Sequence, residues 1–302
     1  MSRVKFTAFA DLHHAPKWFK NDGEKRLTQI LQRAADSDSD FVVHLGDFCH
    51  IPSQEVEIIA QYHNFQRPVY HVLGNHEFDH DTLEEVMEAY CMQENYYSFD
   101  FNNFRFIALD NNYFSDYPGI YFHYSQRNYF DHSKTREYIN MEQIEWFRNQ
   151  VMSSPYPCVV MSHASLDYPD SIPNRELLLE IIRESQDKPG RVMLCINGHN
   201  HRNHLSVVDN VAYFDLNSAS SDWLNKPHRF FPAEWYQQWE CVGHQAFWED
   251  ALSAVITLDS EGNLKIEGGE STFVCGVTRE MSGNPDIRFP CEPRVLSAEI
   301  KL

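Results

Sequence analysis

Short apolar runs alternate with amphipathic stretches along the first two thirds of the chain. Runs with the length of buried strands cover residues 4–10, 41–45, 69–73, 158–162 and 192–197. Stretches with apolar residues at helical spacing predict helices at residues 24–35, 54–65, 82–90, 141–151 and 174–184, with Ser53 as the expected N-cap of the second. Because strands that alternate with helices are typical of βαβ units, the pattern predicts an α/β fold.

Pairs of adjacent short runs predict antiparallel hairpins as well. The turns are expected at Asn102 and Asn103, at Asp209 and Asn210, and at residues 260–263. Asn and Asp tolerate the positive φ that a tight hairpin turn requires.

The remaining stretches have little periodicity. Residues 111–140 and 218–250 are rich in aromatic side chains and fit no regular element, and loops of that length often have a functional role. Residues 270–302 are expected to wrap over the body. Since the chain shows no internal repeat and no linker-like stretch, residues 1–302 are predicted to form a single domain.

Composition narrows the classes of function. The net charge is −19, and a field of that sign disfavours binding along a nucleic-acid polymer. A small phosphorylated substrate remains compatible, because bound cations would reverse the sign inside one pocket. The cysteines are odd in number and lack a Cys-x-x-Cys pair, which is typical of reduced thiols. With no bilayer-length apolar run and no signal-peptide pattern, we expect a soluble cytoplasmic protein without membrane contact.

Side chains with affinity for metals follow the five predicted strands directly. They are Asp11, His13, Asp47, Asn75, His163, His199 and His201. The carboxyl ends of strands in an open α/β sheet border the crevice where ligands bind, so we expect these side chains to meet there. Carboxylate, amide and imidazole groups suit Mn, Fe or Zn, and the set is too rich in ligands for one ion. The sequence therefore predicts a two-metal hydrolytic centre, although any one of these residues alone would be explained more simply as a cap or a surface group.

The spacing within each motif supports this interpretation. Asp11 and His13 are two positions apart, so an extended backbone turns both side chains to one side. Gly46 lets the backbone bend close to a metal just before Asp47. Because a carboxylate has two oxygens, Asp47 can bridge two cations, which a single imidazole cannot do.

These motifs, in this order, resemble those of the calcineurin-like metallophosphoesterases over about residues 4–216. The resemblance implies a four-layer αββα sandwich, with two mixed sheets packed together between helices. It implies two sets of metal ligands: Asp11, His13, Asp47 and His201 for one ion, and Asp47, Asn75, His163 and His199 for the other. It also implies that hydroxide activated by both ions attacks phosphorus, while His76 binds the phosphoryl oxygen or protonates the leaving group.

The residues after Asp47 bear on the branch of the family. Protein Ser/Thr phosphatases carry an arginine there that clamps phosphate, and purple acid phosphatases carry a ligand tyrosine; residues 48–52 have neither. The chain then looks most similar to the bacterial small-molecule branch, which includes class III cyclic-nucleotide phosphodiesterases and glycerophosphodiesterases. That implies a small phosphodiester or phosphomonoester substrate, with a nucleotide-like compound as the leading candidate. Candidate residues for a wall around the organic part are Tyr113, Phe114, Tyr121 and Trp223.

Other polar residues near the motifs have plainer explanations. Supporting or surface roles are expected for His14, His50 and His204, and buried structural roles for His44 and His71. Glu77 either supports the ligands from behind or caps a helix, and the tryptophans from Trp223 to Trp248 favour packing. Two rival functions stay open: a non-catalytic metal-binding protein on the same fold, and an interaction module whose aromatic segments dock a partner.

Overall fold

The computed structural model describes residues 2–224, 226–282 and 290–302. Its strands are β1 (Arg3–Phe9), β2 (Phe41–Leu45), β3 (Val69–Val72), β4 (Tyr97–Phe101), β5 (Phe104–Ala108), β6 (Tyr113–Tyr117), β7 (Ile120–His123), β8 (Cys158–Met161), β9 (Val192–Asn197), β10 (His204–Val208), β11 (Val211–Asp215), β12 (Ser221–Trp223), β13 (Gln245–Phe247), β14 (Ala254–Asp259), β15 (Asn263–Glu267) and β16 (Ala298–Lys301). Its helices are α1 (Gly23–Asp36), α2 (Val56–His63), α3 (Leu83–Ala89), α4 (Met141–Ser153), α5 (Arg175–Ser185) and α6 (Trp235–Gln238). The predicted alternation of strands and helices is confirmed.

Two six-stranded mixed sheets form the centre of the fold. The strand order is β16-β15-β14-β1-β2-β3 in the first sheet and β10-β11-β9-β8-β5-β4 in the second. Strands β1, β2 and β3 are parallel to one another, and so are β11, β9, β8 and β5. Parallel neighbours end at the same edge of a sheet, so the loops that follow them are brought together.

The sheets face each other across one apolar core. The ring of Phe106 from the second sheet lies 5.5 Å from that of Phe6 and 5.0 Å from that of Phe41 in the first. Helices α1 and α2 cover the outer face of the first sheet, with Leu27 buried in that cluster. Helices α4 and α5 cover the second, with Phe147 buried there. This is the αββα sandwich that the resemblance implied.

The hairpin turn at Asn102 and Asn103 agrees with the prediction from sequence, whereas the start of helix α2 does not. Asn102 and Asn103 have φ of 48° and 62° and connect β4 to β5, as the hairpin prediction requires. Helix α2 begins at Val56 instead of residue 54, and Ser53 is not its cap. The backbone N–H and the hydroxyl of Ser53 both donate to the Asp81 carboxylate instead, which fixes this loop against the segment before α3.

The aromatic stretches contain more regular structure than their sequences indicated. Residues 111–140 form the hairpin β6–β7 and a short 3₁₀ turn at Asn128–Phe130. Residues 218–250 include the antiparallel pair β12–β13 and the short helix α6. The expectation that neither stretch holds a regular element was wrong, because strands of three to five residues are too short to show a period.

The C-terminal segment contributes the edge strand of the first sheet. Strand β16 pairs antiparallel with β15, and the carbonyls of Glu292 and Arg294 accept hydrogen bonds from Asn217. Residues 283–289 of the predicted wrapping segment lie outside the described residues. Among the helices described here, none has both the length and the apolar character that crossing a membrane requires. The single-domain organisation stays a prediction.

Candidate metal centre

The loops that follow β1 and β2 continue the pairing of these strands beyond their ends. The backbone N–H of Asp11 donates to Gly46 O at 3.0 Å, and that of His13 donates to Asp47 O at 2.8 Å. Gly46 has φ of 93°, and a Cβ at this position would collide with the ring of His163. Glycine therefore permits the close approach of two strand ends from different sheets.

Backbone strain is concentrated at the same place. Five of the proposed ligands have left-handed φ: Asp11 (55°), His13 (50°), Asp47 (53°), His199 (66°) and His201 (47°). Such φ values are uncommon outside glycine and cost free energy, so the surrounding hydrogen bonds must hold them in place. A run of strained residues whose polar side chains converge is typical of a functional site.

One half of the site gathers residues from the ends of β1 and β9. His13 Nε2 lies 3.1 Å from His201 Nε2 and 4.0 Å from Asp11 Oδ1. His201 Nε2 lies 3.6 Å from the same Asp11 oxygen. The three side chains are buried and their ligand atoms fit around a single ion.

The other half gathers residues from β2, β3, β8 and β9. His163 Nε2 lies 3.1 Å from His199 Nδ1, 3.2 Å from Asp47 Oδ2 and 3.3 Å from Asn75 Oδ1. The same Asp47 oxygen lies 3.9 Å from His13 Nε2 in the first half. Asp47 thus stands between the two groups, in the position that the sequence analysis gave to a bridging carboxylate. All seven predicted ligands are brought together.

Each of three imidazoles has one nitrogen hydrogen-bonded away from the centre. His163 Nδ1 donates to Leu45 O at 2.7 Å, His201 Nδ1 to Ser221 O at 2.7 Å, and His199 Nε2 to Glu137 Oε1 at 3.2 Å. In its neutral form an imidazole carries one N–H, so the other nitrogen of each ring can present a lone pair to a metal ion at the centre. The donor set of inward lone pairs and carboxylates fits divalent metal ions of the Mn, Fe or Zn type.

The fourth imidazole is oriented through an intermediate histidine. His50 Nδ1 donates to Asp79 Oδ2 at 2.7 Å, which leaves His50 Nε2 to accept from His13 Nδ1 at 3.1 Å. His13 Nε2 therefore also presents a lone pair to the centre. This is the supporting role expected for His50.

Asp79 holds a second histidine at the site. His76 Nδ1 lies 2.9 Å from Asp79 Oδ2, and the hydroxyl of Tyr129 donates to the other oxygen of this carboxylate. Burial alone would lower the pKa of His76, but the carboxylates of Asp79 and Asp47 outweigh it and raise the pKa to about 9. His76 therefore carries a proton near neutral pH, as a general acid must.

Electrostatics inside the cluster are dominated by Asp47. Burial would raise the pKa of Asp47, yet the surrounding imidazoles, His163 first, hold it well below its ordinary value. For His163, burial acts to lower the pKa, and the Asp47 carboxylate overrides this and raises it to about 10. These opposite shifts reflect a buried carboxylate that attracts positive charge from all sides.

Glu77 supports the loops rather than capping a helix. Its carboxylate accepts from the backbone N–H groups of Asp47 at 3.0 Å, Phe48 at 2.6 Å and Gly74 at 2.9 Å. Burial beside Asp47 raises the pKa of Glu77 to about 7. One side chain thus ties the loop after β2 to the loop after β3.

A cavity of about 430 Å³ opens above the proposed ligands. Trp223 lines it, with its ring 5.8 Å from His13 and 6.4 Å from His76. The other three candidate wall residues do not line it: Phe114 stacks on His132 at 3.7 Å, Tyr113 contacts His123, and Tyr121 contacts Tyr138. Their hairpin turns these rings into its own packing, so the expectation for Tyr113, Phe114 and Tyr121 is corrected.

The other four histidines that were given plainer roles lie away from the centre. His14 is buried with Nε2 3.2 Å from Glu55, and His204 is a partly exposed residue 3.7 Å from Asp167. His44 and His71 are buried in β2 and β3 and bond to each other. The plainer interpretations of these four side chains agree with their positions.

Three supporting residues were missed at the sequence level: Asp79, Tyr129 and Glu137. Asp79 follows His76 by three positions, a spacing that brings side chains together on a helical turn and offered a usable signal. Tyr129 and Glu137 belong to the aromatic stretch 111–140, where no period marks which residues face inward.

Comparisons with known proteins agree with the geometry. The dimetal phosphatase from Danio rerio superposes with a TM-score of 0.61 at 15% identity, over 91% of this chain and 99% of its own. GAP50, the anchor in the inner membrane complex of Plasmodium, superposes with a TM-score of 0.58 at 12% identity, over 100% of this chain and 90% of its own. At such identities the likeness concerns the fold alone.

Sequence comparison gives a more specific result. No curated protein matches the chain. The model of the calcineurin-like phosphoesterase family matches residues 4–203, a span that includes every proposed metal ligand. The chain therefore belongs to the calcineurin-like phosphoesterase family, whose members act with divalent metal ions.

Proposed function

We propose that this protein is a binuclear metal-dependent phosphoesterase that hydrolyses a small phosphodiester or phosphomonoester with a nucleotide-like organic part. The observation that carries the proposal is the convergence of imidazole nitrogens and two carboxylates, those of Asp11 and Asp47, in one buried cluster. His13 Nε2 lies 3.1 Å from His201 Nε2, and His163 Nε2 lies 3.1 Å from His199 Nδ1. A metal ion bound among these nitrogens and carboxylates would take the place of the protons that the imidazoles otherwise carry.

The ligands divide into two sets that share Asp47. The first set is Asp11, His13, Asp47 and His201, and the second is Asp47, Asn75, His163 and His199. Manganese, iron and zinc all accept these oxygen and nitrogen donors. When bound, two such ions lower the pKa of a water and neutralise charge on the phosphoryl oxygens.

The protein's own residues then orient the substrate and supply a proton. His76 is held by Asp79 through Nδ1, so Nε2 of its protonated ring is left to donate to the leaving oxygen. Trp223 presents an aromatic wall beside His76, which suits the organic part of the substrate. A field that is negative overall admits such a substrate only while cations occupy the ligand cluster.

The direct test combines metal analysis with a phosphoester assay. Protein as purified would be analysed for Mn, Fe and Zn, then stripped, reloaded with each ion and assayed on bis-p-nitrophenyl phosphate and p-nitrophenyl phosphate. His199→Ala should lose metal and turnover. The matched control His204→Ala removes a partly exposed imidazole nearby in sequence and should retain both.

The same experiment distinguishes the rival functions. Protein that binds metal but hydrolyses neither ester under any of the three ions would favour a non-catalytic metal-binding module. Protein that binds no metal would contradict the proposed centre and favour an interaction module. The bacterial small-molecule branch and the cytoplasmic location stay predictions, tested by a substrate panel and by fractionation of the source cells.

A further inference from the structure

Two arginines of the stretch 111–140 line the cavity above the metal ligands. Arg127 precedes the 3₁₀ turn at Asn128–Phe130 and has a left-handed φ of 65°. Arg136 directly precedes Glu137, the residue that orients His199. Both come from residues 111–140, to which periodicity assigned no regular element. Residues 48–52, directly after Asp47, contain no arginine.

Each guanidinium is positioned by an aromatic ring and by one carboxylate. Arg127 lies 4.9 Å from the ring of Phe130, with Nε 3.9 Å from Asp79 Oδ1. Arg136 lies 5.8 Å from the ring of Tyr129, with Nε 3.3 Å from Glu137 Oε1. These contacts fix the direction of both side chains while leaving most of their N–H groups unused.

Both arginine side chains border the cavity. Within the described residues, both ion pairs of these guanidinium groups are made through Nε, with Asp79 for Arg127 and with Glu137 for Arg136. The Arg127 side chain is 55% exposed and that of Arg136 is 30% exposed, whereas His13 and Asp47, which line the same cavity, are buried. The arginines therefore stand at the mouth of the cavity, above the level at which the scissile phosphate would meet the metal ligands.

The size of the cavity leaves room for a second group. A volume of about 430 Å³ lies within the range of small-molecule sites, roughly 300–1,000 Å³. A single phosphoryl group occupies only a fraction of it. The guanidinium groups of Arg127 and Arg136 bring positive charge to a cavity that Asp47 and Asp79 also line, in a protein of net charge −19.

We propose that Arg127 and Arg136 form an anion subsite that binds a second negatively charged group of the substrate, remote from the phosphoester that is hydrolysed. This rests on the proposed function, since the first phosphate is placed by the metal ligands. The guanidinium fork matches phosphate and carboxylate oxygens, so the substrate class is a phosphoester that carries another phosphate or a carboxylate.

The test measures competitive inhibition of bis-p-nitrophenyl phosphate hydrolysis by Mn-loaded protein. Propyl phosphate has one anionic group, propane-1,3-diol bisphosphate has two, and 3-phosphooxypropanoate carries a carboxylate as its second group. We expect the two-anion compounds to bind at least about tenfold more tightly than propyl phosphate. In Arg127→Gln/Arg136→Gln this advantage should fall by about tenfold or more, toward equal binding of the three compounds, because charge-assisted hydrogen bonds are lost.

Arg148→Gln is the matched control. It removes one positive charge from the exposed pair with Glu184, outside the cavity, and should keep the advantage of the two-anion compounds. If the bisphosphate binds more tightly than 3-phosphooxypropanoate, the second group is a phosphate. If 3-phosphooxypropanoate binds more tightly, the second group is a carboxylate. The subsite would be overturned if the double variant keeps the wild-type ratio between the inhibition constants of propyl phosphate and the two-anion compounds. Equal weakening of all three compounds would give that result. The single variants provide the same comparison if the double variant fails to fold.

Failure of the proposed function would look different. If wild-type protein loaded with Mn, Fe or Zn does not hydrolyse the reporter, the phosphoesterase assignment fails. Calorimetric titration of the same three compounds into wild-type and variant protein then measures the anion subsite without turnover.

Discussion

The carboxylate of Asp79 links the proposed acid to a metal ligand, because the oxygen that lies 2.9 Å from Nδ1 of His76 also lies 2.7 Å from Nδ1 of His50. His50 in turn accepts from His13, so one buried carboxylate orients imidazoles in both parts of the site. Burial would raise the pKa of Asp79, but the two histidines hold it far below its ordinary value. Asp79 therefore stays ionised over the working pH range.

Asp79→Asn should slow turnover by about 10–100-fold, the usual cost of losing a partner that orients a site residue. The pH profile is the more specific measurement. As the proposed acid, His76 must be protonated, so activity should fall as pH rises through its pKa, which Asp79 and Asp47 raise to about 9. Removing the Asp79 charge lowers that pKa, and the alkaline limb of kcat should move to lower pH.

A surface pair provides the control for this variant. Asp116 accepts from His132 Nδ1 at 3.0 Å on the exposed part of the hairpin, outside the cavity. Asp116→Asn removes the same charge from a similar pair and should leave the pH profile in place. An alkaline limb that does not move in Asp79→Asn would show that Asp79 does not set the protonation of His76.

The sequence identified the centre because its ligands come directly after strands. Apolar runs of four to seven residues are easy to recognise, and the carboxyl ends of parallel strands must meet at one edge. That argument placed Asp11, Asn75 and His163 together although they are far apart in the chain. It needed no knowledge of side-chain contacts.

The same reasoning failed for the aromatic wall. Residues 111–140 contain many aromatic side chains, yet composition does not tell which face of a short hairpin meets the cavity. Phe114 packs on His132, while the exposed Phe130 and the buried Tyr129 turn out to line the cavity. Left-handed φ at Asp11 or His199 could not be foreseen either, because it depends on tertiary hydrogen bonds and not on local propensity.

Asp47→Asn should remove most activity together with bound metal. Asp47 Oδ2 lies 3.2 Å from His163 Nε2 and 3.9 Å from His13 Nε2, so an amide nitrogen at this place would weaken both ligand sets. Metal content per chain and turnover on bis-p-nitrophenyl phosphate measure the effect. Near-normal turnover in this variant would exclude Asp47 from a bridging role.

His76→Ala should keep both metals and slow turnover by about 10²–10⁴-fold, the range expected for loss of a general acid. The variant separates turnover from metal binding, since substitution of a proposed ligand such as His199 should cause loss of metal as well. Elemental analysis of the purified variant decides between them. Loss of metal from His76→Ala would make His76 a ligand.

Glu137→Gln tests a residue that sequence patterns did not reveal. Its carboxylate accepts from His199 Nε2 at 3.2 Å and thereby fixes the tautomer that presents Nδ1 to the centre. We expect metal affinity to fall by about 10–100-fold, with turnover restored at high Mn concentration. Titration of activity against free Mn measures the shift. A variant that stays slow at saturating Mn would place Glu137 in substrate binding instead of ligand support.

Gly46→Ala should destabilise the fold through two separable causes. Its φ of 93° is costly for alanine, by about 1–2 kcal/mol, and the added Cβ would collide with the ring of His163. Overpacking of this kind costs about 1–3 kcal/mol more. Gly119 has a similar φ of 79° with nothing within 4 Å of an added Cβ, so Gly119→Ala isolates the backbone cost. Urea unfolding of the metal-free proteins should therefore show a larger loss of unfolding free energy for Gly46→Ala than for Gly119→Ala. Equal losses would show that the contact with His163 does not contribute to the destabilisation.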